Sequence, residues 1–196
     1  MNLPNKLTLA RFIMTPIFLI LMLVEFPHHY LAGLIVFIIA SLTDYFDGKI
    51  ARRDGLITTF GKFLDPIADK MLTTAAFLVF LQNGTGYGII WIVFIVLARE
   101  FVVTSVRLIS AGSGKIIAAN IWGKLKTVMQ MIAIIATIFF EYVISEFIYG
   151  IELLPVMIVE PVRIVCSILL WISAILTFIA GITYVIDNKE YINFNK

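Results

Sequence analysis

The sequence has little cysteine, histidine or charge. Its only cysteine, Cys166, lies in an apolar run, which excludes a disulfide within one chain and a cysteine-based metal site. The two histidines, His28 and His29, are predicted to lie in an outer loop rather than to bind metal. Charged residues make up 14% of the 196 residues and hydrophobic residues 61%, which is too apolar for a soluble domain. The composition therefore predicts one integral membrane domain over residues 1–196.

Several common sequence signals are also missing. The segment Gly84-Thr-Gly-Tyr-Gly has no preceding strand, and no acidic residue follows at the distance that a dinucleotide-binding turn requires. We find no internal repeat and no basic-aromatic pattern that indicates nucleic-acid binding. Lys6 and Arg11 precede the first apolar run, as in a signal peptide, but no small-residue cleavage site follows Val24. We therefore expect an uncleaved first helix.

Six apolar stretches are long enough to cross a bilayer, which takes about 20 residues. They lie near residues 7–25, 30–49, 62–82, 88–109, 120–143 and 162–186. If the N-terminus is cytoplasmic, every Lys and Arg except Arg163 falls on or near the cytoplasmic side. We therefore predict an all-α integral membrane protein with six transmembrane helices and both termini in the cytoplasm. Its basic side is expected to contact anionic lipid.

Four aspartates lie between the apolar parts of the second and third stretches. At 100° per residue on a helix, Asp47, Gly48 and Ala51 fall within about 60° of Asp44. Two carboxylates and two small residues therefore share one helix face, with room for a ligand between them.

A second helix face repeats this design. Asp65 and Asp69 are four residues apart, and Gly61 lies four residues before Asp65. Two unit charges about 4 Å apart repel by about 4 kcal/mol at an effective dielectric near 20, so converging carboxylates need cations between them. Because the ligand atoms are carboxylate oxygens, the favoured cations are Mg²⁺ and Mn²⁺. The alternative is a solvated loop in which Asp65 caps a helix that begins at Pro66, but this explains only one aspartate at a time.

Basic residues cluster at the cytoplasmic ends of the fourth and fifth stretches. Arg99 and Arg107 share a stripe of the fourth helix, and Lys124 and Lys126 lie at the start of the fifth. Because an ionisable residue in a spanning segment costs a few kcal/mol unless it is paired, these are functional candidates. Glu100 fits a structural ion pair with one of these cations or a functional role equally well.

Intramembrane acids fit either a metal-dependent enzyme that acts on a diphosphate or a cation transporter. These acids lie on one side of the membrane and have no second copy in a matching half of the chain. Arg52, which follows them, can bind a phosphate through two parallel hydrogen bonds. A cation path would avoid such residues, so the enzyme is favoured.

The spacing D-x₂-D-G-x₂-A-R-x₈-G-x₃-D-x₃-D, from Asp44 to Asp69, resembles the signature of the CDP-alcohol phosphatidyltransferases at all eight positions. R-E-x-x-V-T-x-x-R, followed by G-K-x-K-T-x-x-Q, resembles the branch of that family with glycerol 3-phosphate as acceptor. The resemblance implies transfer of the phosphatidyl group of CDP-diacylglycerol to glycerol 3-phosphate, with release of CMP. Inositol phosphate, serine or phosphatidylglycerol as acceptor is the alternative.

The resemblance also implies roles for the motif residues. The ligands of two Mg²⁺ or Mn²⁺ ions would be Asp44, Asp47, Asp65 and Asp69, and Asp69 would also be the general base. The expected CDP-diacylglycerol contacts are Gly48, Ala51, Arg52, Gly61, Asn5 and Thr8. The expected acceptor-phosphate contacts are Arg99, Arg107, Lys124, Lys126 and Arg11. We further expect a homodimer in the plasma membrane, with a polar active-site cavity that faces the cytoplasm.

Overall fold

The protein is helical throughout the residues that its computed structural model describes. These are residues 2–54, 59–112, 121–149 and 159–189; the side chains of residues 3–4, 45–49, 51–54, 59–66, 69, 111–112 and 147–149 are outside the description. The helices are α1 (Leu3–Leu23), α2 (His29–Asp54), α3 (Thr59–Asn83), α4 (Ile89–Gly112), α5 (Ile121–Val143) and α6 (Val159–Asp187), and a π-helix, Ile144–Tyr149, follows α5. The predicted all-α fold is confirmed for these residues, with one helix at each predicted stretch.

Four of these helices are long and apolar enough to cross a membrane. They are α1, α4, α5 with the start of the π-helix, and α6. The apolar part of α2, His29–Asp44, is shorter, and α3 carries four charged residues between Lys62 and Lys70. The six predicted helices are thus present, and four of them qualify as spans within the described residues. The charged residues of α2 and α3 include those of the predicted active site: Asp44, Asp47, Arg52, Asp65 and Asp69.

The chain divides into two compact units. The first comprises Met1–Asn83 and Ile134–Val162, and in it α1 packs against α2 and α3. The buried residues of α1 are spaced three or four apart and so share one face. They are Asn5, Thr8, Arg11, Thr15, Phe18 and Met22. The first half of this face is polar and the second half apolar, where the rings of Phe18 and Phe37 lie 5.6 Å apart.

In the first unit, the α1–α2 turn contacts the π-helix. His28 has a φ of 63°, and its backbone N–H donates to Glu146 Oε1 at 3.1 Å. Its Nδ1 lies 3.1 Å from Glu146 Oε2. The outer position predicted for His28 stays a prediction. Among the described residues no group of three or more His, Cys, Asp or Glu side chains could hold a metal ion.

The second unit comprises Gly84–Ala133 and Arg163–Lys196. Its turn before α4 docks on α6, because the Tyr87 N–H donates to Ser167 Oγ at 2.9 Å and Trp171 Nε1 donates to the Tyr87 carbonyl at 2.9 Å. Further along, Val103 and Val106 of α4 pack against Tyr184 of α6. Early residues of α4 meet early residues of α6 and later residues meet later ones, so the two helices run in the same direction.

Candidate active site

The acidic motif begins near the end of α2. Asp44, Asp47, Gly48 and Ala51 all lie in this helix, which continues through Arg52 to Asp54. The helical spacing that places two carboxylates and two small residues on one face is therefore confirmed. The side chains of Asp47 and Arg52 lie outside the described part of the chain, so their roles stay predictions.

The second half of the motif lies in α3. This helix begins at Thr59, so Gly61, Asp65 and Asp69 all belong to one helix. Asp65 is therefore not the N-cap of a helix that starts at Pro66, and the capping alternative is wrong. Pro66 lies inside the helix, where its missing N–H leaves the carbonyl of the fourth preceding residue without its usual helical bond.

One member of the acidic motif has a described side chain, and it contacts α1. Arg11 forms an ion pair with Asp44 through Nη1 and Oδ1. The Arg11 side chain is 1% exposed, whereas that of Asp44 is 44% exposed. Thr15 reinforces α1 here, because its hydroxyl donates to the Arg11 carbonyl at 3.0 Å. Arg11, expected to bind the acceptor phosphate, thus lies against a predicted metal ligand, and its role as an acceptor contact stays a prediction.

Asn5 and Thr8 lie on the same polar half of the α1 face as Arg11. They are 7% and 4% exposed, although both are polar and lie near the start of the chain. Buried polar residues are normally hydrogen-bonded, and each of these two has such a partner in the structure. They lie on the same buried face as Arg11, and their contact with CDP-diacylglycerol stays a prediction.

The predicted acceptor cations belong to the second unit, where the structure brings two of them together. Glu100 Oε1 accepts a hydrogen bond from Arg99 Nη1 at 3.0 Å and another from Lys126 Nζ. Lys126 Nζ also lies 3.3 Å from Gln130 Oε1. The two cations have side chains 11% and 10% exposed, and that of Glu100 is 17% exposed. The structural ion pair considered for Glu100 is therefore present.

The other two predicted cations are on the surface of this unit. Arg107 follows Arg99 by two turns of α4 and is exposed. Lys124 lies in the first turn of α5, two residues before Lys126, and is also exposed. The four cations thus divide into a buried, carboxylate-linked pair and an exposed pair. Sequence spacing alone did not distinguish the two pairs, because burial depends on contacts with other helices.

Gly181 is a residue near the buried pair that the motif search missed. A Cβ at this position of α6 would lie 2.8 Å from Cγ of Arg99, so the glycine provides the space that the arginine stem occupies. The sequence does carry a weak signal, since Ala180 and Gly181 are small residues on the buried stripe that also includes Thr177 and Tyr184. That stripe indicates close packing but does not indicate against which residue.

The chemistry of the acidic residues fits a divalent cation. Carboxylate oxygens are the ligands that Mg²⁺ and Mn²⁺ prefer, and two neighbouring helices each supply two of them within the motif. The 44% exposure of the Asp44 side chain leaves it accessible to an ion while Arg11 contacts one of its oxygens. Asp44, Asp47, Asp65 and Asp69 are thus suitable ligands by residue type and by position on helices.

Comparison with known proteins agrees with this motif. The family model of CDP-alcohol phosphatidyltransferases matches residues 1–179, and the chain belongs to that family.

Three relatives carry the name CDP-diacylglycerol–glycerol-3-phosphate 3-phosphatidyltransferase. The protein from Bacillus subtilis is 40% identical, over 96% of this chain and 96% of its own. The one from Rickettsia bellii is 35% identical over 97% of each chain, and the one from Wigglesworthia glossinidia brevipalpis is 32% identical over 94% of this chain and 93% of its own.

Proposed function

We propose that this membrane enzyme transfers the phosphatidyl group of CDP-diacylglycerol to glycerol 3-phosphate, forming phosphatidylglycerophosphate and CMP. One observation carries the proposal: the complete family motif lies on two consecutive helices of a chain that matches, over nearly its whole length, relatives named for this reaction. The second pattern in the sequence, R-E-x-x-V-T-x-x-R with G-K-x-K-T-x-x-Q, supports the phosphorylated acceptor.

The reaction is a displacement at the phosphorus that carries the diacylglycerol. The acceptor hydroxyl oxygen forms a bond to this phosphorus, the bond from phosphorus to the CMP oxygen breaks, and CMP leaves with the bonding electrons. The hydroxyl proton passes to a base, for which we assign Asp69 of α3. Gly48, Ala51 and Gly61 leave room for the nucleotide, and Arg52 binds its phosphate.

The acidic residues hold the donor in place. Two bound Mg²⁺ or Mn²⁺ ions would neutralise the diphosphate and the developing charge on CMP. Asp44, Asp47, Asp65 and Asp69 would be their ligands. Arg11 contacts Asp44 from the α1 side, and this ion pair supports a positioning role for Arg11. Asn5 and Thr8 line the same polar face of α1 and are proposed donor contacts.

The acceptor is held by its own phosphate. Arg99 and Lys126 are buried cations that share one carboxylate, and Arg107 and Lys124 are exposed cations nearby in sequence. We assign all four to recognition of the glycerol 3-phosphate phosphate.

The membrane setting follows from the same charges. The 15 Lys and Arg residues, with the exception of Arg163, fall on or near one side in a six-helix arrangement, which supports cytoplasmic termini and an active site open to the cytoplasm. We propose the plasma membrane as location and a homodimer as the working assembly of this single domain.

A direct acceptor comparison tests the proposed function. The purified protein in mixed micelles receives CDP-diacylglycerol, Mg²⁺ and one radiolabelled acceptor: glycerol 3-phosphate, inositol phosphate, serine or phosphatidylglycerol. We expect release of CMP and labelled lipid with glycerol 3-phosphate alone. Preferential labelling with another acceptor would keep the reaction type but replace the substrate, and no CMP with any of them would refute the proposal.

A further inference from the structure

Two buried cations in the second unit are fixed by one carboxylate oxygen. Arg99 Nη1 donates to Glu100 Oε1 at 3.0 Å, and Lys126 Nζ donates to the same oxygen. Without this oxygen the two positive charges would repel each other in a mostly apolar surrounding, where charge interactions are weakly screened. Glu100 therefore holds both cations within reach of one point.

One buried donor of the cluster indicates an anion as its ligand. The three side chains of the cluster are 10–17% exposed. A buried donor without a hydrogen-bond partner is costly, so it is better explained by an anion that binds there than by stability of the fold. The Arg99 Nε atom is buried and has no hydrogen-bond partner among the described residues, which leaves a donor for such an anion.

The position of Arg99 depends on α6 as well. The stem of Arg99 lies over Gly181, where a Cβ would come within 2.8 Å of Arg99 Cγ. Cγ is close to the backbone and cannot swing away as the end of the side chain can. A side chain at position 181 would therefore displace the stem of Arg99 and with it the guanidinium. An uncharged side chain would do this without changing the charge of the cluster.

We propose that Glu100 and Gly181 are positioning residues for the acceptor phosphate. Glu100 holds Arg99 and Lys126 on one oxygen so that both face the same anion, and Gly181 provides the space that sets the guanidinium position. Neither residue touches the acceptor in this assignment. The inference rests on the proposed function, because it assumes an acceptor that carries a phosphate.

The direction of one kinetic change separates positioning from simple charge attraction. Glu100→Gln raises the formal charge of the cluster from +1 to +2, so attraction alone would lower the KM for glycerol 3-phosphate. If Glu100 positions the cations, the same substitution raises that KM by about 10-fold or more, the effect expected from one lost charge-assisted hydrogen bond to the anion. The KM for CDP-diacylglycerol is expected to stay unchanged.

Gly181→Ala provides a second variant that does not alter charge. Alanine favours a helix over glycine, so α6 itself should tolerate the change. We expect a raised KM for glycerol 3-phosphate, an unchanged KM for CDP-diacylglycerol and little loss of folded protein. Glu25→Gln, which removes an exposed carboxylate in the α1–α2 turn, is the matched control and should change neither constant.

Each outcome of the experiment decides the inference. A lower or unchanged KM for glycerol 3-phosphate in Glu100→Gln would overturn the inference. An equal rise of the KM for both substrates, together with a lower unfolding midpoint, would overturn it as well. Failure of the proposed function is seen separately, as absence of CMP release by the wild-type protein. In that case thermal unfolding in EDTA still tests the cluster. The measured quantity is the rise of the unfolding midpoint on addition of glycerol 3-phosphate, and it is compared between wild type and Glu100→Gln.

Discussion

The ion pair between Arg11 and Asp44 predicts that its two members contribute unequally to stability. The Arg11 side chain is 1% exposed and that of Asp44 is 44% exposed. Asp44→Asn removes the counter-charge of a fully buried guanidinium, whereas Arg11→Met leaves a carboxylate that water can solvate. The first variant should therefore be much less stable than the second, although both lose the same ion pair.

The size of the difference follows from burial. Removing one partner of a buried pair costs about 3–5 kcal/mol, while an exposed charge that loses its partner costs about 0–1 kcal/mol. Because 1 kcal/mol shifts the unfolding midpoint by roughly 2–4 °C in a chain of this size, Asp44→Asn should lower it by about 6 °C or more. Arg11→Met should lower it by a few degrees at most.

The measurement is thermal unfolding in mild detergent with EDTA, so that metal binding does not contribute. The double variant Arg11→Met with Asp44→Asn removes both charges of this pair and should recover most of the stability lost in Asp44→Asn alone. The reasoning is refuted if Arg11→Met is the less stable single variant, or if the double variant is less stable than Asp44→Asn.

Three further predictions concern the catalytic assignments and the topology. EDTA should abolish CMP release, and Mg²⁺ or Mn²⁺ should restore it; full activity in metal-free buffer would remove the metal assignment. Asp69→Asn should reduce single-turnover rate by about 10²–10⁴-fold while CDP-diacylglycerol still binds, whereas Asp44→Asn should weaken binding of metal and nucleotide together. Lost binding in Asp69→Asn would reassign that residue to the metal ligands alone. In a protein with Cys166→Ala, a cysteine in place of Arg53 should react with a thiol reagent only from the cytoplasmic side; labelling of intact cells from outside would overturn the topology.

The helices were predictable because hydrophobic length and helical spacing are local properties. Each of the six apolar stretches became a helix, and the acidic motif lies on α2 and α3 with the expected spacing. The rejected alternative at Asp65 came from a local rule as well: an Asp-Pro pair is a common helix start, but here Pro66 lies inside α3. The apolar residues that follow Pro66 pack α3 against α1, and this packing outweighs the lost hydrogen bond.

The partners of the charged residues were less predictable. The contact between Arg11 of α1 and Asp44 of α2 was not predicted, because spacing along one helix does not encode a contact with another helix. The role of Gly181 is hidden for the same reason, since it depends on the stem of an arginine on α4. The ion pair of Glu100 was partly predictable. The sequence allowed an ion pair with one of several cations, and in the structure Glu100 contacts Arg99 and Lys126.

Both described ion-pair clusters in the helices share one arrangement that bears on how the site works. In each, the carboxylate is more exposed than the cation it holds: 44% against 1% for Asp44 and Arg11, and 17% against 10–11% for Glu100 with Lys126 and Arg99. A buried arginine is fixed by packing, so it can hold the more accessible carboxylate in one orientation. In the proposed function, the orientation of Asp44 serves a metal ion, and the contact of Glu100 with its two cations serves a bound anion. Loss of Asp44 removes both a proposed metal ligand and a carboxylate that pairs with a buried arginine, so activity and stability should fall together at Asp44, while at Arg11 they can be separated.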